Sequence, residues 1–144
     1  MTRILFYSNI RNKQAALTGL VRKVLEKGHL ITLFTEDESA AKAYSNVLWG
    51  NDKTSFLPNV LASDLQMRET PVVIDWQAKQ LYQDDILVNL TQRQLTVFSR
   101  FRQFVELVGV DEKDKALARQ RFKFYRDRGY EIKHFDEHAL VGSV

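Results

Sequence analysis

Hydrophobic positions recur with two different spacings along these 144 residues, and the switch from one to the other predicts the elements. Arg3 to Ser8 (RILFYS) is a short apolar and aromatic run, as in a buried strand. From Lys13 to Lys27, apolar residues fall at Ala16, Leu17, Leu20, Val21, Val24 and Leu25, the spacing of a helix. Gly28 stands where a glycine ends one. Leu30 to Thr35 (LITLFT) predicts a second strand. Thr35 can cap a helix through Asp37 to Trp49, with Glu38 three residues on as in a capping box. Strand, helix, strand, helix is the order of a βαβ unit with parallel strands.

Beyond Gly50 to Ser55 (GNDKTS), which reads as a turn, Phe56-Leu57-Pro58-Asn59 forms an apolar connection. Pro71 to Trp76 (PVVIDW) and Asp85 to Leu90 (DILVNL) predict two strands joined by a glutamine-rich loop. Thr91 opens an expected amphipathic helix, with Leu95, Phe98, Phe101, Phe104, Val105 and Val108 on its inward stripe. Gly109 interrupts, and another helix is expected from about Asp111 to Arg128, ended by Gly129. Tyr130 to Phe135 can add a last strand, and the tail from Asp136 to Val144 is weakly patterned. With no repeat or linker, residues 1–144 are expected to form one α/β domain: an open twisted sheet, largely parallel, with helices on both faces.

Composition narrows the function. No run approaches the roughly 18 apolar residues of a membrane span, and Met1 to Ile10 lacks the apolar stretch of a signal peptide. The absence of cysteine removes disulfide frameworks and thiolate metal sites. A soluble cytoplasmic protein is expected. The net charge is only +3, so its arrangement matters more than its sum. Lys113 to Arg128 holds seven cations (Lys113, Lys115, Arg119, Arg121, Lys123, Arg126, Arg128) against Asp114 and Asp127. The positive field is expected there.

Candidate chemistry is sparse. Nucleotide-binding sheets of this class use a glycine-rich turn after the first strand, because phosphate needs close backbone approach. Ser8 to Lys13 (SNIRNK) has no glycine, and the six glycines are scattered singly, so neither phosphate-loop motif can be written. His134 and His138 are spaced so that they could face one another on a helix as metal ligands, but with no cysteine beside them a lone pair near a chain end is usually solvated surface. Asp84 and Asp85 would point to opposite faces of a strand and could not share a proton. No nucleophile elbow or carboxylate cluster is present. Neither an enzyme, nor a cofactor, nor a metal is expected.

Two features suggest a partner. Lys115, Arg119, Phe122, Lys123 and Arg126 fall at i, i+4, i+7, i+8 and i+11 and share a helix face. Four cations around one ring suit an acidic peptide carrying an apolar group. A merely solvated face, or a direct single-stranded nucleic-acid-binding module, are the other readings. Val47, Leu48 and Trp49, with Phe56, Leu57 and Pro58, could anchor a protein interface or simply close over the sheet.

Asn46-Val-Leu-Trp-Gly, Ser55-Phe-Leu-Pro-Asn, Thr70-Pro-Val-Val-Ile-Asp-Trp, Asp84-Asp-Ile-Leu-Val-Asn-Leu and Leu117-Ala-Arg-Gln-Arg-Phe-Lys-Phe-Tyr-Arg-Asp-Arg-Gly-Tyr follow one another here. In order and spacing they resemble the chi subunit family of the bacterial DNA polymerase III holoenzyme, from about Arg3 to His134. The resemblance implies a Rossmann-like α/β domain without nucleotide-binding residues, acting as a non-catalytic adaptor at replication forks. It implies that the basic helix binds the acidic C-terminal tail of single-stranded-DNA-binding protein, which ends in a phenylalanine with a free carboxylate. By position the pocket would use Arg119, Phe122, Lys123 and Arg126, with Val108 and Lys115 at its margin. Trp49 and Phe56, with Leu57 and Pro58, would pack against the psi subunit and so tie the chain to the clamp loader. Association with DNA and the nucleoid would be indirect. Phe122 stands where the best-known members carry tyrosine, which keeps the ring and loses the hydroxyl.

Overall fold

The first strand, β1 (Arg3–Ile10), shows how the sheet is built. Leu5 and Tyr7 enter one hydrophobic cluster while Ile4 and Phe6 enter another on the opposite face. A strand covered on both sides reads as a continuous apolar run rather than an alternation. The computed structural model describes residues 2–50, 60–61, 70–78 and 83–136. Among these, seven strands form one open sheet in the order β3-β4-β2-β5-β6-β1-β7. The remaining strands are β2 (Ile31–Phe34), β3 (Val60–Leu61), β4 (Val72–Asp75), β5 (Ile86–Asn89), β6 (Gln103–Gly109) and β7 (Ile132–Asp136). Every pairing is parallel.

The expected first helix is α1 (Lys13–Glu26), capped by Asn12, whose Oδ1 accepts from the Ala15 N–H at 3.1 Å. It buries Leu17, Leu20, Val21 and Val24 against the sheet. The second is α2 (Glu38–Trp49), and here the cap differs from expectation. Asp37, not Thr35, accepts from the Ala40 N–H (2.8 Å), so Glu38 opens the helix instead of completing a capping box. Thr35 is still paired with the strand ladder: its N–H donates to Asp75 O and its hydroxyl to Asp37 O. The third helix, α3 (Glu112–Asp127), packs on the opposite face from α1 and α2.

The larger correction concerns residues 91–109. No α-helix forms there; Val97–Arg100 is one 3-10 turn and Gln103–Gly109 is β6. Phe104 and Val105 show why the spacing misled. On a helix they would share a stripe, but in β6 Phe104 enters the α3-side cluster and Val105 the other. A strand buried on both faces and preceded by an apolar turn satisfies helical spacing by coincidence. Leu95, Phe98, Phe101, Phe104 and Val108 do share one core, beneath α3.

Glu106, in the middle of β6, is fully buried and accepts from Arg121 Nε (3.0 Å), Tyr125 Oη (2.9 Å) and Asn89 Nδ2 (2.9 Å). Arg121, 3% exposed, also donates from Nη1 to the Gln92 carbonyl (2.9 Å). Thus one of the seven cations expected at the surface is internal and neutralised. Burial pushes the Glu106 carboxyl up to about 7, against the pull of Arg121, Tyr125 and Asn89.

β1 and β6 are neighbours, yet α1 leaves β1 toward one face and α3 leaves β6 toward the other. Ligands of open α/β sheets bind in the crevice such a divergence creates. Here the side chain of Asp114 lies in it, accepting from the Gly109 N–H (2.6 Å) and the Lys13 ammonium (3.1 Å). A Cβ at position 109 would lie 3.1 Å from Asp114 Oδ2, so glycine permits the close approach. Burial opposes the charge of Asp114, but the Gly109 N–H, Lys13 and Arg121 together hold its carboxyl below the ordinary range.

Two outcomes follow from these buried charges. Arg121→Met should cost about 3 kcal/mol at pH 8, where Glu106 must either stay charged without its cation or take up a proton from a dilute pool. The raised carboxyl gives stability that falls as pH rises through the interval from about 4.5 to about 7. Without Arg121 that fall continues to higher pH, so urea unfolding should show a smaller loss at pH 5.5. Asp114→Asn should cost about 2 kcal/mol at pH 7. Because the Asp114 carboxyl is depressed, its contribution is present above about pH 4 and lost as pH falls further. The two unfolding curves should therefore converge in acid.

Candidate interaction cleft

Beside that crevice, α3 stands off the sheet enough to leave a cleft of about 380 Å³ over β6, β1 and β7. Its lining is supplied by parallel-strand register. Phe6 in β1 lies beside His134 in β7, and Ser8, two residues on, returns to the same face. Val108 comes from the end of β6; Lys115, Ala118, Arg119 and Phe122 come from successive turns of α3. Phe6 meets Phe122 edge-on, with ring centroids 5.4 Å apart.

The cleft therefore has two unlike rims over an apolar floor of Phe6, Val108, Ala118 and Phe122. On α3, Lys115 is half-buried and Arg119 is exposed. Arg119 Nη2 reaches Glu112 only at 3.9 Å, an exposed pair too loose to consume the charge. On the strand side stand Ser8, Asn9 and His134. Ser8 Oγ and His134 Nε2 are 2.7 Å apart, and Asn9, in the left-handed region at φ 60°, donates from Nδ2 to Asp136 at 3.0 Å. An apolar ring entering between these rims would have cations on one side and hydrogen-bonding groups on the other.

Of the expected pocket residues, Val108, Lys115, Arg119 and Phe122 line this cleft. Lys123 and Arg126 do not; both are exposed. Lys123 is turned farther round the helix, and Arg126 lies seven residues, about 10 Å, along the axis from Arg119, beside Asp127 at 3.6 Å. Phe6, Ser8, Asn9 and Ala118 were not singled out from the sequence, and His134 only as a possible metal ligand. The period of two in β1 could have paired Phe6 with Ser8, but only the β1–β7 register brings them to His134.

The other expected features sit elsewhere. Trp49, 42% exposed, ends α2, which packs against β3 and β4 at the far edge of the sheet; the preceding Leu48 is fully buried. Phe56, Leu57 and Pro58 lie outside the described residues, as does His138. His134 belongs to a strand, not a helix, so the four-residue spacing does not carry the facing geometry expected of it. Among the described residues no three His, Cys, Asp or Glu side chains gather to hold a metal, and no helix is long and apolar enough to cross a membrane. Asp85 accepts from the Leu30 N–H and contacts His29 Nδ1, both at 3.1 Å, which joins the starts of β2 and β5.

Residues 1–133 match the family model described as DNA polymerase III chi subunit, HolC. The chain is 30% identical over 116 residues to DNA polymerase III subunit chi of Haemophilus influenzae, covering 79% of this chain and 80% of that one. It is 31% identical over 106 residues to the Escherichia coli subunit chi (73% and 72% covered). With the Pseudomonas aeruginosa subunit chi it shares 27% over 137 residues (92% and 95%). Among solved structures, the C-terminal domain of the DEAD-box protein Dbp5 has the same fold, with a TM-score of 0.60 at 12% identity over 95% of this chain and 91% of that one. The chain belongs to the DNA polymerase III chi subunit family, a replication accessory subunit.

Proposed function

We propose that this chain is a non-catalytic, cytoplasmic adaptor whose cleft seats the acidic C-terminal tail of single-stranded-DNA-binding protein. The observation that carries this reading is the pairing of an apolar floor with Lys115 and Arg119 on one rim of a 380 Å³ cleft. A terminal phenylalanine ring fits the floor, and its α-carboxylate, together with the acidic residues before it, meets the cations. Lys123 and Arg126, farther round and farther along α3, are placed for the upstream acidic residues rather than for the ring. A surface that includes Trp49, at the opposite edge of the sheet, together with Phe56, Leu57 and Pro58 outside the described residues, docks a psi subunit and so connects the chain to the clamp loader. The two partners would not compete for space. Contact with DNA, and location at the nucleoid, are then indirect.

The interface is small, so affinity should be about micromolar and should weaken with salt. Fluorescence anisotropy with a labelled acidic peptide ending in a free phenylalanine carboxylate tests it. Binding should be lost on C-terminal amidation, and a bare single-stranded oligonucleotide should not bind. Arg119→Ala should weaken the peptide about tenfold or more with an unchanged unfolding midpoint, whereas Lys123→Ala and Arg126→Ala should each cost about two- to threefold. Oligonucleotide binding without peptide binding would replace the adaptor reading with a nucleic-acid one. Normal peptide binding by the Arg119 variant would displace the site from this cleft.

A further inference from the structure

The strand-side rim of the cleft carries chemistry that the basic helix does not. His134 Nε2 is held at 2.7 Å by Ser8 Oγ, and Ser8 Oγ lies 3.5 Å from the Phe135 carbonyl. The imidazole is thus oriented by one nitrogen, and among the described residues Nδ1 has no hydrogen-bond partner. Both His134 and Ser8 line the cleft. Among the described residues the groups around the ring are few. From β1 it faces Ser8 and Asn9, both neutral; from α3, Lys115 and Arg119 stand on the opposite rim. On its own strand the acid on the same face, Asp136, accepts from Asn9 Nδ2, and Lys133 points to the other face.

We propose that His134, oriented by Ser8, is a proton-switched binding residue of this cleft that supplies a third cation to an anionic occupant as pH falls. The proposal rests on the acidic-peptide reading and extends it to the wall opposite the basic helix. Exposed lysine, arginine and carboxylate side chains keep their charge between pH 8 and pH 6, whereas imidazole is the side chain whose ordinary titration lies there. The raised carboxyl of Glu106 is buried beneath α3, outside the cleft lining, and is common to wild type and variants. With Nε2 already on Ser8, the proton gained turns the imidazole into a double donor, and the new positive charge faces a ligand rich in carboxylates. Linkage makes the effect reciprocal, so occupancy of the cleft draws in a proton. His29 lies at the start of β2, outside the cleft, and cannot substitute.

The test is the same anisotropy titration, on the full chain, at pH 6, 7 and 8 and fixed ionic strength, with wild type, His134→Gln and Ser8→Ala. Wild-type affinity should rise about five- to tenfold from pH 8 to pH 6, as expected for one added charge-assisted contact. His134→Gln, which can keep a hydrogen bond to Ser8 but cannot titrate, should bind with the same affinity at pH 6 as at pH 8, whatever that level. Ser8→Ala should retain part of the pH response, since the charge remains while its orientation is lost. Unfolding midpoints of both variants check that the fold is intact. Peptide binding that does not change with pH, or a pH response that survives in His134→Gln, overturns this proposal and leaves the adaptor reading standing. No peptide binding by wild type at any pH overturns both.

Discussion

Glu106 sits in the middle of β6 with no exposure, and α3 reaches it twice, through Arg121 and again one turn later through Tyr125. A buried carboxylate left without donors would be costly, so the helix cannot slide or rotate without breaking both contacts together. Asn89 and Gln92 extend the same network into the β5–β6 connection, which holds the segment under the helix as well. The apolar core beneath α3 (Phe98, Phe104, Ala118, Tyr125) supplies cohesion but little positional specificity. The polar network supplies the register. Because α3 is fixed in this way at its sheet-facing side, its other face is held at a set height over β1 and β7, and the cleft has a defined width.

The helix thereby divides its cations by direction. Arg119 and Arg121 are two residues apart and have opposite fates: one is exposed at the cleft rim, the other is consumed inside the protein. No count of charge along the segment could separate them. Helical geometry could have come close, since residues two apart point to different sides. What the sequence lacked was the acceptor, because the segment holding Glu106 was expected to be a helix rather than a strand buried on both faces.

That single misreading shows where the rest of the fold was and was not legible. β1, α1, β2, α2, β4, β5 and α3 were readable because each has either a compact apolar run or an apolar stripe bounded by glycine or polar turns. β6 was not, because burial on both faces erases the alternation that marks a strand, and the preceding Leu95, Phe98 and Phe101 prolong a helix-like spacing. The cleft was half legible in the same sense. Lys115, Arg119 and Phe122 belong to one continuous helix, so local spacing and the family resemblance both reach them. Phe6, Ser8 and His134 are joined only by the pairing of β1 with β7, more than a hundred residues apart. Side chains assembled by long-range register are invisible to any local pattern.

The crevice between the diverging α1 and α3 completes the physical picture. In open α/β sheets it is the place for a nucleotide, and it usually offers a phosphate free backbone amides at a helix N-terminus. In this chain the Asp114 carboxylate takes the Gly109 amide and is itself paired with Lys13. An anion arriving there would meet a fixed negative charge and one amide fewer. The same ion pair links the start of α1 to the first turn of α3, so the two helices that define the crevice also close it. Opportunity for a ligand then shifts one strand outward, over β1 and β7, where among the described residues Lys115 and Arg119 of α3 have no internal partner of comparable strength. On the proposed function, the binding end of the fold is kept while its chemistry moves from backbone amides suited to phosphate to side chains suited to carboxylates and an aromatic ring.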